Sequence, residues 1–259
     1  MASVASTAIV HAGAVLADGV VIDHGAIIEA GTNIGANTRI GQYVKVHAGT
    51  SIGKNNTVHP FTCLGSDPQI RDLDHSFAGK LCIGDNNIIH EYVTISRGAH
   101  TGSGVTQIGS DNLLMANSHV GHDSLLMNHC ILVNHATLAG HVKVQSHAII
   151  GAFCAVHQFC TVGESAMMSA AAMVNKDILP YAIVARNPCK MYGVNRVGLQ
   201  RRQIGAKAIA NINMAYKTIT SGKVILSQVL AKLEGMAEDC EYVRTMFNVL
   251  QQSERGIVR

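Results

Sequence analysis

Every sixth residue of this chain is aliphatic over long stretches. From Val4 the series runs through Val10, Leu16, Ile22, Ile28, Ile34, Ile40, Val46, Ile52, Val58 and Leu64. It breaks, resumes at Ile83, Ile89 and Ile95, breaks again, and returns at Ile108, Leu114, Val120, Leu126, Leu132, Leu138, Val144, Ile150, Val156, Val162, Met168 and Val174. A sustained period of six matches neither the helical repeat of 3.6 nor simple strand alternation. It marks a parallel β-helix, in which each hexad is a short strand plus a turn. Three hexads close a triangular coil of about 18 residues with the aliphatics inside, and coils stack at about the 4.8 Å interstrand spacing. The 25 glycines and the asparagines supply the corner conformations that such a coil needs.

The two breaks, about 65–82 and 98–107, read as loops that leave the prism, "GSDPQIRDLDHSFAGK" and "GAHTGSGVTQ". Loops on a rigid scaffold are where specificity commonly sits. After Pro180 the period ends. "NPCKMYG" reads as a linker, and the remainder carries helical patterns: 199–221 around Ile204, Ile212, Ala215 and Ile219, then Leu226, Val229, Leu230 and Leu233, then Val243, Met246, Phe247 and Leu250. The expected fold is mainly β: a parallel β-helix over 1–190, with a C-terminal α-helical region over 191–259 covering the open end of the solenoid.

With 47% hydrophobic and 14% charged residues the chain can bury a large core, which excludes a disordered class. Its net charge of +3 is unevenly spread. Residues 191–259 hold ten Lys/Arg against five Asp/Glu, and no acid occurs between Asp177 and Glu234. A basic stripe of this kind suits an acidic partner or a solvated face. Seven cysteines without framework spacing read as reduced, mostly buried thiols of a cytoplasmic protein. "MASVASTAIVHAG" lacks the charged start of a secretory signal, and no apolar run reaches the roughly 18 residues of a membrane span.

Seven of the 14 histidines fall between 119 and 157. The 18-residue coil sorts them. It puts His122 under Gly140 and Gln158, Asp123 under His141, and Gly121 under Ala139 and His157, so that these residues form one compact patch. His129 and His147 stack on another wall and read as surface. A histidine titrates near neutrality and suits a general base. A glycine one coil above allows close approach to a backbone N–H, as an oxyanion site requires. Asp123 can support the ring, although neighbours on an extended strand point apart. No serine or cysteine nucleophile accompanies them, which implies direct transfer to a hydroxyl or amine.

The segments "IGSDNLLMANSHVGHD", "CILVNHATLAGHV", "AIIGAFCAVHQF" and "GVNRVGLQRR" resemble those of the bacterial UDP-N-acetylglucosamine O-acyltransferases, first enzymes of lipid A biosynthesis. The resemblance covers nearly the whole chain. It implies a left-handed β-helix and a homotrimer with active sites between adjacent prisms. It also implies transfer of an R-3-hydroxyacyl chain from acyl carrier protein to the 3-hydroxyl of UDP-N-acetylglucosamine. No cofactor is implied beyond the phosphopantetheine on the donor, nor a metal, nucleic acid or stable membrane insertion. By motif, His122 is the base, Asp123 its support and Gly140 the oxyanion donor. Asp74, His119, His141, His157 and Gln158 line the substrate site. Asn195, Arg201 and Arg202 meet the nucleotide phosphates or the carrier's phosphopantetheine region. Met168 and Ala170 stand at the acyl-length ruler, where Ala170 in place of glycine implies a medium chain. Two departures touch the sugar side. "RDLDHSFAG" lacks the family's lysine, leaving Asp72 or Asp74 as the aspartate and Arg71, His75 or Lys80 as the positive charge, and Ser96 replaces a histidine. A relative acting on a C3 amine, a β-helix zinc carbonic anhydrase and the later N-acyltransferase of the pathway are the alternatives; the last carries an extra domain before its β-helix, whereas here the register starts at Val4.

Overall fold

In the computed structural model, which describes residues 1–220 and 226–259, the hexads form three parallel sheets. Strands are mostly two residues long and pair with the strand one coil away, as in Ser3 with Val21 and Val4 with Ile22. The chain visits the first, second and third sheets in turn, so the prism has three edges. Inward positions from Ile22 through Val174 are buried, while Val4 at the uncovered first coil is 45% exposed.

The corners explain the histidine count. At most corners the residue three after the inward aliphatic takes a positive φ: Asn37 at 59°, Asp123 at 59°, His129 at 58°, His141 at 62° and Phe159 at 65°. Glycine and asparagine were the expected residues, and large rings also fill this strained position. Stacking between coils offsets the cost: ring centroids lie 5.4 Å apart for Tyr43–Phe61, 4.7 Å for His135–Phe153 and 4.7 Å for His129–His147.

The loops are shorter than expected. Strands Cys63–Ser66 and Lys80–Ile83 confine the first to 67–79, and Thr94–Ser96 and Val105–Ile108 confine the second to 97–104. The ladder is continuous across both, with Val58 on Ile89 and Ile89 on Leu114.

The expected linker is instead structured. Ala182–Ala185 continues the first sheet by pairing with Met167–Met168, then turns into an antiparallel hairpin with Lys190–Val194. The β-structure therefore extends past the 190/191 boundary. Four α-helices follow among the described residues: α1 Arg196–Arg201, α2 Ala206–Thr220, α3 Leu226–Glu238 and α4 Glu241–Gln252. The helix read as continuous over 199–221 is broken between α1 and α2, where Gln203 has φ 60° and Gly205 adds a poor helix former; residue 221 lies outside the described residues. Leu199, Ile212 and Tyr216 bury themselves on the last coil, and the Tyr216 hydroxyl donates to the Pro180 carbonyl at 2.6 Å. The C-terminal segment returns to the prism through a single bridge, Asp177 with Ile257, with the Val258 N–H on the Asp177 carbonyl at 2.9 Å. No described helix is long and apolar enough to cross a membrane.

Candidate active site

His122 lies on the edge between the second and third sheets, after the strand His119–Val120, and is 6% exposed. Its Nδ1 is 2.7 Å from Asp123 Oδ2. The two side chains meet, contrary to the strand argument, because they sit at a corner and Asp123 has a left-handed backbone. The Asp123 carboxylate is 1% exposed and is held from the other side by the second loop. It accepts from the Ala99 N–H at 3.0 Å, the Gly104 N–H at 2.8 Å and the Ser103 hydroxyl at 3.1 Å. Burial alone would raise its pKa, but the hydrogen bonds from His122, Ala99, Ser103 and Gly104 outweigh burial and hold the carboxyl below the usual range. An ionised carboxylate only accepts, so the neutral form of the His122 ring carries its proton on Nδ1 and its lone pair on Nε2.

Gly140 stands one coil above. A Cβ there would lie 2.6 Å from His122 Nε2, so no side chain fits. The Gly140 N–H donates to no group among the described residues. A Cβ on Gly121 would in turn lie 2.6 Å from the Gly140 nitrogen, which makes Gly121 a second required glycine. The predicted trio of His122, Asp123 and Gly140 is thus brought together, with a basic nitrogen and a free N–H side by side.

The His141 ring meets His122 edge-on at 5.0 Å and stacks on Phe159 at 4.5 Å. His119 faces outward from its strand, with Nδ1 2.7 Å from the Thr94 hydroxyl. Burial lowers the pKa of both: His119 further through the nearby His122, and His141 against an opposing pull from Asp123. His157 and Gln158 are exposed on the next coil, the His157 Nδ1 3.2 Å from the Gln158 carbonyl oxygen. A cavity of about 430 Å³ opens along this edge, lined by Ser103, Gln107, Asp123, His141, Lys143 and Phe159.

Asp74 lies on the first loop and touches the second. Its N–H is 3.4 Å from His100 Nδ1 on the second loop, the loop that holds Asp123. Its carboxyl is pulled down chiefly by the Ser76 hydroxyl and N–H, and by His100 and His75. His75 was among the replacements read for the missing lysine; His100 was not. Ser96 is buried inside the coil.

The other predicted residues lie elsewhere in the chain. Asn195 is buried, caps α1 by accepting from the Gly198 N–H at 3.0 Å, and donates to the Ser165 carbonyl at 2.9 Å. Arg202 pairs with Glu164 at 2.6 Å, and Arg201 is exposed. Glu164 and Ser165 occupy the edge between the third and first sheets, so a single chain keeps these residues apart from His122. Met168 is fully buried and cannot line an acyl groove, because its position is an inward one; Ala170 is exposed. Sequence reasoning missed Thr94, Ala99, Ser103, Gly104, Phe159 and Thr106, whose hydroxyl accepts from the Asp123 N–H at 2.8 Å. Phe159 was within reach, since it lies 18 residues beyond His141.

Known proteins decide the family. Residues 177–258 match the model for Udp N-acetylglucosamine O-acyltransferase, domain 2, and residues 31–66 match the bacterial transferase hexapeptide (six repeats). The chain is 49% identical over 221 residues to the acyl-(acyl-carrier-protein)-UDP-N-acetylglucosamine O-acyltransferase of Tolumonas auensis, covering 84% of this chain and 82% of that one. It is 46% identical over 218 residues to the enzyme of the same name from Saccharophagus degradans, covering 84% of each. The chain belongs to this acyltransferase family. Solved relatives agree over the full fold: the UDP-N-acetylglucosamine acyltransferase of Francisella novicida superposes with a TM-score of 0.97 at 33% identity over 99% of this chain and 94% of that one. The enzyme from Moraxella catarrhalis gives 0.96 at 31% identity, covering 99% of each. The fold is accordingly the left-handed parallel β-helix, and the chain is an acyltransferase. The zinc carbonic anhydrase alternative falls here. His122, Asp123 and His141 do cluster closely enough to hold an ion, but Asp123 already accepts from four donors.

Proposed function

We propose that the chain transfers an R-3-hydroxyacyl group from acyl carrier protein to the 3-hydroxyl of UDP-N-acetylglucosamine, the first step of lipid A biosynthesis. The observation that carries this reading is the free His122 Nε2 beside the free Gly140 N–H. Nε2 takes the proton of the acceptor hydroxyl as its oxygen attacks the thioester carbon. The Gly140 N–H donates to the developing oxyanion, and Asp123 stabilises the imidazolium. The C–S bond then breaks, and the leaving sulfur takes the proton from His122. No group of the protein becomes acylated. His119 and His141, their pKa values lowered, serve as neutral hydrogen-bonding groups for the sugar nucleotide, with Asp74, His157 and Gln158 around them.

Outward from the second sheet, His119 is followed up the ladder by Thr137, Ala155 and Met173. Thr137 and Ala155 are small and leave a shallow track for the acyl chain, bounded above by the larger, exposed Met173. Ala170, exposed at the next edge, ends it at medium length. Arg201, Arg202 and Asn195 stand on a different edge from His122, which favours a homotrimer in which a neighbouring prism supplies them to the nucleotide or the pantetheine. Exposed Arg186, Lys190, Arg196, Arg201, Lys207 and Lys217 suit an acidic carrier protein in the cytoplasm. The test is incubation with UDP-N-acetylglucosamine, or its C3-amine counterpart, and a ladder of 3-hydroxyacyl carrier proteins, with products identified by mass. An O-linked medium-chain product is expected. Product with the amine acceptor alone would replace the acceptor assignment.

A further inference from the structure

We propose that His59, His90 and Glu91 form a metal site, separate from the catalytic edge, that takes zinc or a neighbouring first-row divalent ion. The first loop lengthens one coil, so that Val58 pairs with Ile89 and the residues after them lie one above the other. The His59 and His90 rings stack at 4.5 Å with 10° between planes. Glu91 reaches both, with Oε1 3.3 Å from His59 Nδ1 and Oε2 3.4 Å from His90 Nδ1. One donor atom from each residue lies within 4.8 Å of the others. The backbone beneath is fixed: the His59 N–H donates to the Ile89 carbonyl at 2.7 Å, the Thr62 hydroxyl to the His90 carbonyl at 2.7 Å, and the Asn117 N–H to the Glu91 carbonyl at 3.0 Å. Small side-chain rotations on a rigid frame converge the three donors.

The contrast with Asp123 separates this cluster from the catalytic one. Asp123 is saturated by backbone and hydroxyl donors, whereas the Glu91 carboxylate meets, among the described residues, only the two imidazoles and its own N–H. The three side chains are 33%, 35% and 40% exposed, open enough to admit an ion. Two imidazoles and a carboxylate suit zinc with a fourth position for water, and disfavour magnesium and calcium, which prefer all-oxygen shells. A bound ion ties together the two coils that flank the first loop.

The test uses the full chain, stripped with chelator and titrated with Co²⁺ by absorption and with Zn²⁺ by calorimetry, alongside thermal melts. Saturable binding tighter than about 10 µM, at no more than one ion per chain, is expected, with a metal-dependent rise in melting temperature. His59→Asn and His90→Asn each weaken binding by at least about tenfold and abolish the rise, while His122→Ala leaves both intact. Glu91→Gln, which keeps the side chain's shape, carries the comparison should an Asn variant not fold. Absence of binding at about 100 µM metal, or binding lost in His122→Ala and kept in His59→Asn, overturns the proposal.

Discussion

His129–His147 and His122–His141 are both histidine pairs one coil apart on different edges of the prism, and only the second is built for catalysis. On the edge between the third and first sheets, His129 and His147 occupy successive left-handed corners, their rings nearly parallel at 10°. The nearest carboxylate, Asp111, is 3.9 Å from His129 and 40% exposed. On the catalytic edge the lower histidine sits one residue earlier, at 122, and yields the corner to Asp123. The shift turns the ring pair edge-to-face, at 84°, and puts a buried carboxylate behind the lower ring. The second loop then closes over that carboxylate. One residue of register and eight residues of loop thus separate a surface ladder from a base with a fixed tautomer.

The largest effect that tests this contrast is at His122. Replacing it with alanine should lower kcat/KM by about 10³-fold or more, with circular dichroism and oligomeric state unchanged. A variant near wild-type rate would remove the base assignment. Gly140→Ala comes next. Its methyl group must displace the His122 ring from the point where base and N–H converge. A fall in kcat of about 10²-fold is expected, with the thermal midpoint little changed; a variant that raises KM alone would show that Gly140 shapes binding only.

The contrast was half legible in the sequence. Period six left one architecture, and the coil length then placed His141 above Asp123 and Gly140 above His122. The loop's part was hidden, because residues 97–104 follow no period and two of their three bonds to Asp123 come from backbone N–H groups, which every sequence offers alike. The hairpin over 182–194 was hidden for a related reason: proline and glycine in "NPCKMYG" signal a turn but not whether strands flank it. Met168 was misplaced as a ruler although its own hexad position already pointed it inward. The His59–His90 pair escaped stacking arithmetic because the first loop displaces the register beyond 18.

Asp123→Asn probes the loop's contribution. The amide places N–H groups where the carboxylate accepts, so at least one of the Ala99, Gly104 or His122 donors loses its partner. Stability at pH 7 should fall by about 1–3 kcal/mol by chemical denaturation, and the Ala99 and Gly104 amides should exchange faster. Acid sharpens the same point. The folded carboxyl lies below its unfolded value, so its contribution is fully present above the ordinary aspartate range near about 3.9. It fades as pH falls through the lowered folded value. The stability gap between wild type and Asp123→Asn should therefore hold at pH 5 and close only below that range; a gap that closes near pH 6 would point to His122 rather than Asp123 as the titrating partner.

The smallest effect is expected on the other edge, where its size is the argument. His129 is exposed, its ring gains only a stacking contact with His147, and its carboxylate neighbour is distant and solvated. His129→Ala should change stability by no more than about 0.5 kcal/mol. Its φ of 58° is a cost that alanine still bears, so any larger loss would measure what ring stacking contributes at a left-handed corner. His129→Gly separates the two terms: glycine relieves the strain and removes the ring together. If His129→Gly is as stable as wild type while His129→Ala is weaker, the ladders of rings are what let this β-helix turn its corners without glycine, and the catalytic edge is one such corner put to a second use.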